Sequence, residues 1–244
     1  MLNPPRPAPR SNAELWWAFF TILLITLLYL FVVFAWQEIP PAAELFGHSL
    51  GVLGFLLMLS TETLYSLRKR SLSARWGRLS AWLRVHIFTG LVGPYMVLLH
   101  TSWKFSGLAG VTLLLTLVIV ASGFIGRYIY TAIPRTADGV EMEAAALAGY
   151  LAEVEAELAR LSAPRPPHAT PADPRQERQL RRQQTALRKQ HAALRRQVSA
   201  LARTRRLLSI WHTVHVPLGL ALFTAAVIHI MAALYYATLP RLGW

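Results

Sequence analysis

Cysteine is absent from this chain of 244 residues, and acidic residues are few. Without cysteine the chain cannot form disulfides, cysteine-ligated zinc sites, iron–sulfur clusters or covalent c-type haem attachments. Twelve Asp and Glu stand against 25 Lys and Arg, which gives a formal net charge of +13. No glycine-rich dinucleotide fingerprint occurs, so nothing indicates a flavin- or NADPH-binding domain. Histidine is the main soft metal ligand that remains.

Long apolar runs dominate what is present. Apolar residues make up 54% of the chain, and the mean hydropathy is +0.37. An uncharged run of about 20 residues can cross the hydrocarbon core of a bilayer as a helix. The sequence therefore predicts an all-α membrane protein with five transmembrane helices, at residues 15–36, 45–66, 81–103, 108–131 and 207–237.

The distribution of basic residues predicts how these spans are oriented. Arg6 and Arg10 precede the first span, a cluster from Arg68 to Arg78 follows the second, and fourteen Lys or Arg separate the fourth from the fifth. The opposite side carries only Lys104 and Arg241. By the positive-inside rule the N-terminus is cytoplasmic and the C-terminus outside, which we expect to be in a bacterial inner membrane. The charge suits anionic lipid headgroups, and without a nucleic-acid-binding motif no nucleic-acid partner is expected.

Two pairs of histidines share one spacing inside the apolar runs. His86 and His100 are 14 residues apart in the third span, and so are His215 and His229 in the fifth. Fourteen residues make just under four helical turns, so both members of a pair face one side, roughly 21 Å apart. The third and fifth spans run in the same direction, which matches His86 with His215 and His100 with His229. Two imidazoles facing each other are typical ligands of a b-type haem.

This arrangement resembles the di-haem cytochrome b families, which include the cytochrome b of quinol oxidoreductases and the membrane domain of ferric reductases. The resemblance rests on spacing and topology and covers roughly residues 45–131 and 207–237. It implies a four-helix haem-binding bundle and two haem b groups, one ligated by His86 and His215 and the other by His100 and His229. The chain departs from these families in having five spans and no flavin-binding domain.

Several neighbouring residues are weaker candidates for the same sites. Gly90 and Gly219 each follow a histidine by four residues and would let a flat porphyrin approach the backbone. Arg84 and Lys104 could meet haem propionates or only anchor helix ends at the headgroups. His212 could contact a propionate, act as an alternative ligand or lie at the interface. Roles for His48 and Glu62, including contact with a quinone as an additional cofactor, stay open beside plain helix packing.

Residues 136–206 carry two heptad patterns instead of a short loop. Apolar residues recur at steps of four and three from Val140 to Leu161, and after a proline-rich turn leucine recurs every seventh residue from Leu180 to Leu208. The first segment is rich in Glu and the second in Arg, which predicts a cytoplasmic antiparallel coiled-coil hairpin joined by opposite charges. Its second helix could continue without a break into the fifth span. The hairpin would be either a solvated spacer or a docking element for a protein redox partner or a second copy.

The predicted domains are a cytoplasmic tail at 1–14, spans one to four at 15–135, the hairpin at 136–206, and the fifth span with an outer C-terminus at 207–244. The leading hypothesis is a cytochrome that moves electrons across the membrane, in a direction the sequence does not encode. Whether it is an enzyme in its own right is left open. The alternatives are a haem-containing anchor subunit of a larger redox complex and a haem-free transporter or sensor whose histidines relay protons.

Overall fold

The computed structural model describes residues 12–70, 79–131, 144–163 and 173–238, and every regular element in these ranges is an α-helix. Six helices follow one another: α1 (Ala13–Trp36), α2 (Leu45–Arg70), α3 (Leu79–His100), α4 (Gly107–Thr131), α5 (Ala144–Ser162) and α6 (Pro174–Thr238). Helices α1 to α4 and part of α6 are long and apolar enough to cross a membrane, which confirms the five spans. The chain is an integral membrane protein.

The apolar surface of these helices is the surface expected in lipid. Large side chains of α1 point away from the protein, with Phe34 75% exposed and Trp17 and Phe31 68% exposed. Leu114, on α4, is also exposed. In water such a surface would be costly, whereas hydrocarbon tails solvate it without penalty.

Two compact units divide the chain. One contains the described residues of Ser11–Gly126 and Trp211–Trp244, and the other contains the described residues of Arg127–Ile210. The division falls within α4, after Gly126, and within α6, after Ile210. We call the first the membrane unit and the second the hairpin unit.

In the membrane unit α3 packs against both α1 and α2. Ala18 and Tyr29 of α1, Leu50 of α2, and Val92 and Leu99 of α3 belong to one buried apolar cluster. A hydrogen bond of 2.6 Å also joins Thr26 Oγ1 of α1 to the hydroxyl of Tyr95 in α3. Helices α1 and α2 therefore fix the position of α3, which carries two of the candidate histidines.

Helix α3 ends at His100, three residues earlier than the sequence suggested. Ser102 and Trp103 have φ values of 48° and 62°, in the left-handed region that terminates a right-handed helix. The Thr101 hydroxyl donates to the Leu98 carbonyl and accepts from the Trp103 backbone N–H, replacing helical bonds. The sequence did not reveal this end because the run without Asp, Glu, Lys or Arg continues through Trp103 to Lys104.

The hairpin unit pairs α5 with the N-terminal half of α6. Leu147 and Val154 of α5 form a buried cluster with Leu194 and Leu201 of α6. Gln184 donates to the Leu161 carbonyl, while His191 Nε2 lies 2.9 Å from Glu155 Oε1. The residue contacted in α5 has a lower number when the residue in α6 has a higher one, so the two helices are antiparallel. Helix α6 then continues unbroken to Thr238, as the sequence allowed.

The charge pairing predicted for this hairpin is not what holds the described residues together. In the described parts of α5 and α6, His191–Glu155 is the one ion pair between the two helices, and the Arg and Lys side chains of α6 make none with α5. The leucines supply the contact instead. The pairing of complementary charges stays a prediction, because Glu141 and Glu143 lie outside the described residues.

Candidate functional site

The two histidines of α3 are held in the same way by α2. His86 Nδ1 lies 2.9 Å from the carbonyl oxygen of Thr61, and His100 Nδ1 lies 2.8 Å from that of Gly47. A carbonyl oxygen only accepts, so Nδ1 carries the hydrogen in both rings and Nε2 keeps its lone pair. The two carbonyls are 14 residues apart, like the two histidines, so a single antiparallel register of α2 against α3 positions both rings.

Close backbone contact maintains that register. A Cβ atom on Gly93 would lie 2.9 Å from the Gly54 carbonyl oxygen, so these helices touch where both lack side chains. Gly51 similarly leaves room for the His100 ring, whose Cγ and Nδ1 would be 2.8 Å from a Cβ there. Thr61 adds a 2.6 Å hydrogen bond to Thr89. Gly51 and Gly54 of α2 are explained by this contact with α3, which is common between membrane helices.

His215 of α6 is held by side chains of its neighbours instead. Its Nδ1 lies 2.5 Å from Ser122 Oγ of α4, and the serine hydroxyl itself donates to the Ile119 carbonyl. The indole of Trp211 stacks on the imidazole with ring centroids 4.4 Å apart, and its Nε1 donates to the Ser122 carbonyl at 2.7 Å. Because Ser122 gives its one hydrogen to Ile119, His215 donates from Nδ1 and keeps its Nε2 lone pair.

Gly126 provides the space for this network. A Cβ atom on Gly126 would overlap the indole ring of Trp211. Gly123 lies one turn earlier in α4 and is less crowded, because a Cβ atom there would be 4.0 Å from His215 Cε1. The small residues of α4 thus let Trp211 lie flat between α4 and the His215 ring.

The four histidines form two levels. His86 and His215 lie close enough for charges on their rings to interact, and so do His100 and His229. We call these pairs the first and second levels. The order of the pairs along α3 and α6 shows that the two helices run in the same direction, as the topology predicted. No hydrogen bond to the His229 ring occurs among the described residues.

The remaining candidate residues are distributed unevenly around these levels. His212 stacks edge-on against Trp211 and lies within electrostatic range of His215, while His48 lies edge-on to His100 at 6.4 Å. Arg84 and Lys104 are exposed to the surroundings of the protein. Their assignment to propionates stays a prediction, as do the ligand roles of the four histidines.

Gly90 and Gly219 differ from the glycines that pack helices together. A Cβ on Gly90 would be 3.5 Å from Thr61 Cγ2, and one on Gly219 would be 3.6 Å from Glu62 Oε2. Both are ordinary van der Waals distances, so contacts with protein atoms do not require glycine at either position. Glu62 also lies within electrostatic range of His86, which places an acidic group beside the first level.

Sequence reasoning missed Ser122, Trp211 and the two carbonyl acceptors of α2. A backbone carbonyl has no signature in the side-chain pattern, and a serine in an apolar span is common enough to pass unnoticed. The tryptophan one turn before His215 was the one available signal. Among the described residues no group of three or more His, Cys, Asp or Glu could hold a metal, so the candidate sites are pairs of imidazoles.

No family model matches this chain, and neither does a curated protein or a solved structure.

Proposed function

We propose that this protein is a di-haem b-type cytochrome that carries electrons across the membrane. His86 and His215 would hold one haem, and His100 and His229 the other. The observation that carries the proposal is the pairing of one histidine from α3 with one from α6 at each level, with Nδ1 already hydrogen-bonded in three of the four rings.

The chemistry of these donors fits a bis-imidazole haem site. A metal-ligating histidine characteristically donates its other ring N–H to a carbonyl or another oxygen, which fixes the ring and leaves the second nitrogen for the metal. Thr61, Gly47 and Ser122 supply such oxygens. Gly90 and Gly219 support the same conclusion, because the packing of the protein leaves their lack of a side chain unexplained.

A bound haem would supply a centre that takes up and releases one electron at a time. The chain's own residues do the rest. The histidine rings would lie at two depths roughly 21 Å apart along the helices. This separation spans most of a hydrocarbon core of about 30 Å. The two histidines of a level would hold the group, and a metal bound by both would be shielded from small molecules. The resemblance to di-haem cytochromes b belongs to this proposal.

The surroundings of the site belong to the proposal as well. From the basic residues that follow α4 we infer that the hairpin unit is cytoplasmic, in a bacterial cell, and that the C-terminus is outside. We interpret the leucine contacts of α5 and α6 as an antiparallel coiled coil. A cytoplasmic flavoprotein or a quinol, and an acceptor on the outer side, are the partners that this placement would serve, in either direction.

The haem content of the purified chain tests this proposal. In detergent, a dithionite-reduced-minus-oxidised spectrum combined with haem quantified per chain should give two low-spin b-type haems. A protein that folds and purifies without haem, even when expressed with added haem precursor, would overturn the proposal. The paired histidines would then have to be interpreted as a path for protons.

One observation favours a second candidate, a haem-containing anchor subunit of a larger complex. Arg182, Arg188, Lys189, Arg195 and Arg196 of α6 are exposed, and none of them forms an ion pair with a described residue of α5. An anchor would contain haem but would not oxidise a quinol or reduce a dye on its own, whereas a complete electron carrier would. Turnover of the isolated chain separates the two.

A further inference from the structure

Basic residues of the hairpin unit recur in pairs with the period of its leucines. Arg181 and Arg182 follow Leu180, and the same arrangement returns after Leu187 and after Leu194. We call these three pairs the cation ladder, and its members are Arg181, Arg182, Arg188, Lys189, Arg195 and Arg196. In a helix the pairs are spaced by seven residues, about 10 Å along the axis.

The ladder lies outside the buried leucine contact between α6 and α5. Leu194 is 6% exposed and Leu201 1% exposed in the cluster with α5. Residues one and two positions after a leucine lie about 100° and 200° further round the helix. All six ladder side chains are exposed accordingly.

The described residues do not neutralise these charges. Arg181 makes the one ion pair of the ladder found there, a 4.0 Å contact with Glu177 one turn earlier. Two of the three glutamates of α5 are engaged elsewhere: Glu157 pairs with Arg160 on its own helix, and Glu155 contacts His191. Exposed ion pairs of this kind contribute little to stability, so the ladder is not explained as a device that holds the hairpin together.

We propose that the cation ladder is the docking surface for an acidic α-helix of a partner protein, one that carries pairs of Asp or Glu at seven-residue intervals. Charge complementarity and period both support this occupant. A helix packed alongside α6 in heptad register presents equivalent positions every seven residues, which is the spacing of the ladder. Charges at such positions set partner choice and orientation more than they set affinity. The proposal does not depend on haem.

Two other anionic occupants fit less well. A helix that lies on a lipid surface inserts an apolar face beside its cations, whereas Leu194 and Leu201 of α6 are already buried against α5. Phosphates of duplex nucleic acid wind around an axis with a turn of about 34 Å, so a straight row of cations follows them over a short distance only. Each gives a different result in the experiment below.

Peptide binding to the full chain in detergent tests the proposal. The probe is a labelled helical peptide of about four heptads with paired glutamates every seven residues. A control peptide has the same composition and helicity, but its glutamate pairs are out of heptad spacing. At about 0.15 M salt, fluorescence anisotropy should show the heptad peptide binding about tenfold more tightly or better. Equal affinity for the two peptides would overturn the proposal, and so would tighter binding to duplex DNA or to phosphatidylserine vesicles.

Variants locate the binding surface. The triple change Arg182→Gln, Lys189→Gln and Arg196→Gln should weaken binding of the heptad peptide about tenfold, and lysine at Arg182 and Arg196 should retain most of it. The binding of the heptad peptide should also be compared between Lys189→Gln and its matched control, Arg160→Gln. Each variant removes one exposed cation of the hairpin unit, but only Lys189→Gln removes a member of the ladder. Circular dichroism checks that the helices are intact. Equal losses from the two single variants would contradict a specific surface.

Discussion

The two histidine levels differ in how their α6 members are held, although their α3 members are held alike. His86 and His100 both donate to backbone carbonyls of α2. At the first level His215 is fixed by the Ser122 hydroxyl and by the stacked Trp211. At the second level His229 has no hydrogen bond to its ring among the described residues.

This difference shows two ways to orient a ligand inside a membrane. A hydrogen bond to a backbone carbonyl does not depend on the identity of a side chain. It is therefore retained when the acceptor residue is substituted, as long as the helix register is unchanged. A serine hydroxyl and an indole hold the ring through replaceable side chains, which makes the first level adjustable by mutation. We therefore expect side-chain changes to perturb the first level and leave the second largely intact.

The largest effects should come from the histidines themselves. His86→Ala or His215→Ala should remove the haem of the first level, and His100→Ala or His229→Ala that of the second. Each variant should fall from two haems per chain to one, because a single imidazole holds haem much less firmly than two. Haem quantification on purified protein measures this. Retention of two haems in any of the four would refute the ligand assignment for that residue.

Gly126→Ala should come next in size. The added Cβ overlaps the Trp211 indole, so the ring must move, and an overpacked contact costs about 1–3 kcal/mol. The first level should lose occupancy or low-spin character, while the second keeps both. Gly123→Ala is the matched control, because its Cβ would lie 4.0 Å from the nearest atom, His215 Cε1. Equal damage by both variants would mean that α4 is merely sensitive to any side chain.

Gly90→Ala and Gly219→Ala separate the needs of the fold from those of a cofactor. Since a Cβ meets protein atoms only at 3.5 and 3.6 Å, the thermal stability of haem-free protein should change little. If a porphyrin contacts these positions, haem content should fall by a half or less, mainly at the first level. Gly54→Ala is the contrasting control, because its Cβ would lie 2.8 Å from the Gly93 carbonyl and should destabilise both forms. Unchanged haem content in the first two variants would remove Gly90 and Gly219 from the site.

The smallest effect should follow loss of the Ser122 hydroxyl. Ser122→Ala removes the oxygen beside His215 Nδ1, but the stacked Trp211 still orients the ring, so the haem should be retained. The midpoint potential and electron paramagnetic resonance signal of the first level should shift, with those of the second unchanged. Ser122→Thr keeps the hydroxyl and should restore the native signal. A shift in both levels would indicate a change in helix packing rather than in one ligand.

The membrane helices could be predicted well from the sequence because apolar runs and positive charge are direct consequences of the bilayer. The histidine spacing likewise predicts two levels, since helical periodicity alone sets it. The end of α3 could not be predicted, because it depends on the backbone conformations of Ser102 and Trp103. The role of Ser122 depends on the register between α4 and α6, which no pattern within one helix encodes. In the hairpin, composition suggested charge pairing, whereas Arg188 and Lys189 are exposed and form no ion pair with a described residue of α5.

The pairing of histidines between α3 and α6 is the central claim, and double variants test it most directly. Haem per chain should be measured for His86→Ala/His215→Ala and for His86→Ala/His100→Ala. We predict one haem per chain in His86→Ala/His215→Ala, which removes both ligands of the first level. We predict none in His86→Ala/His100→Ala, which removes one ligand from each level. Equal haem content in the two double variants would contradict this pairing.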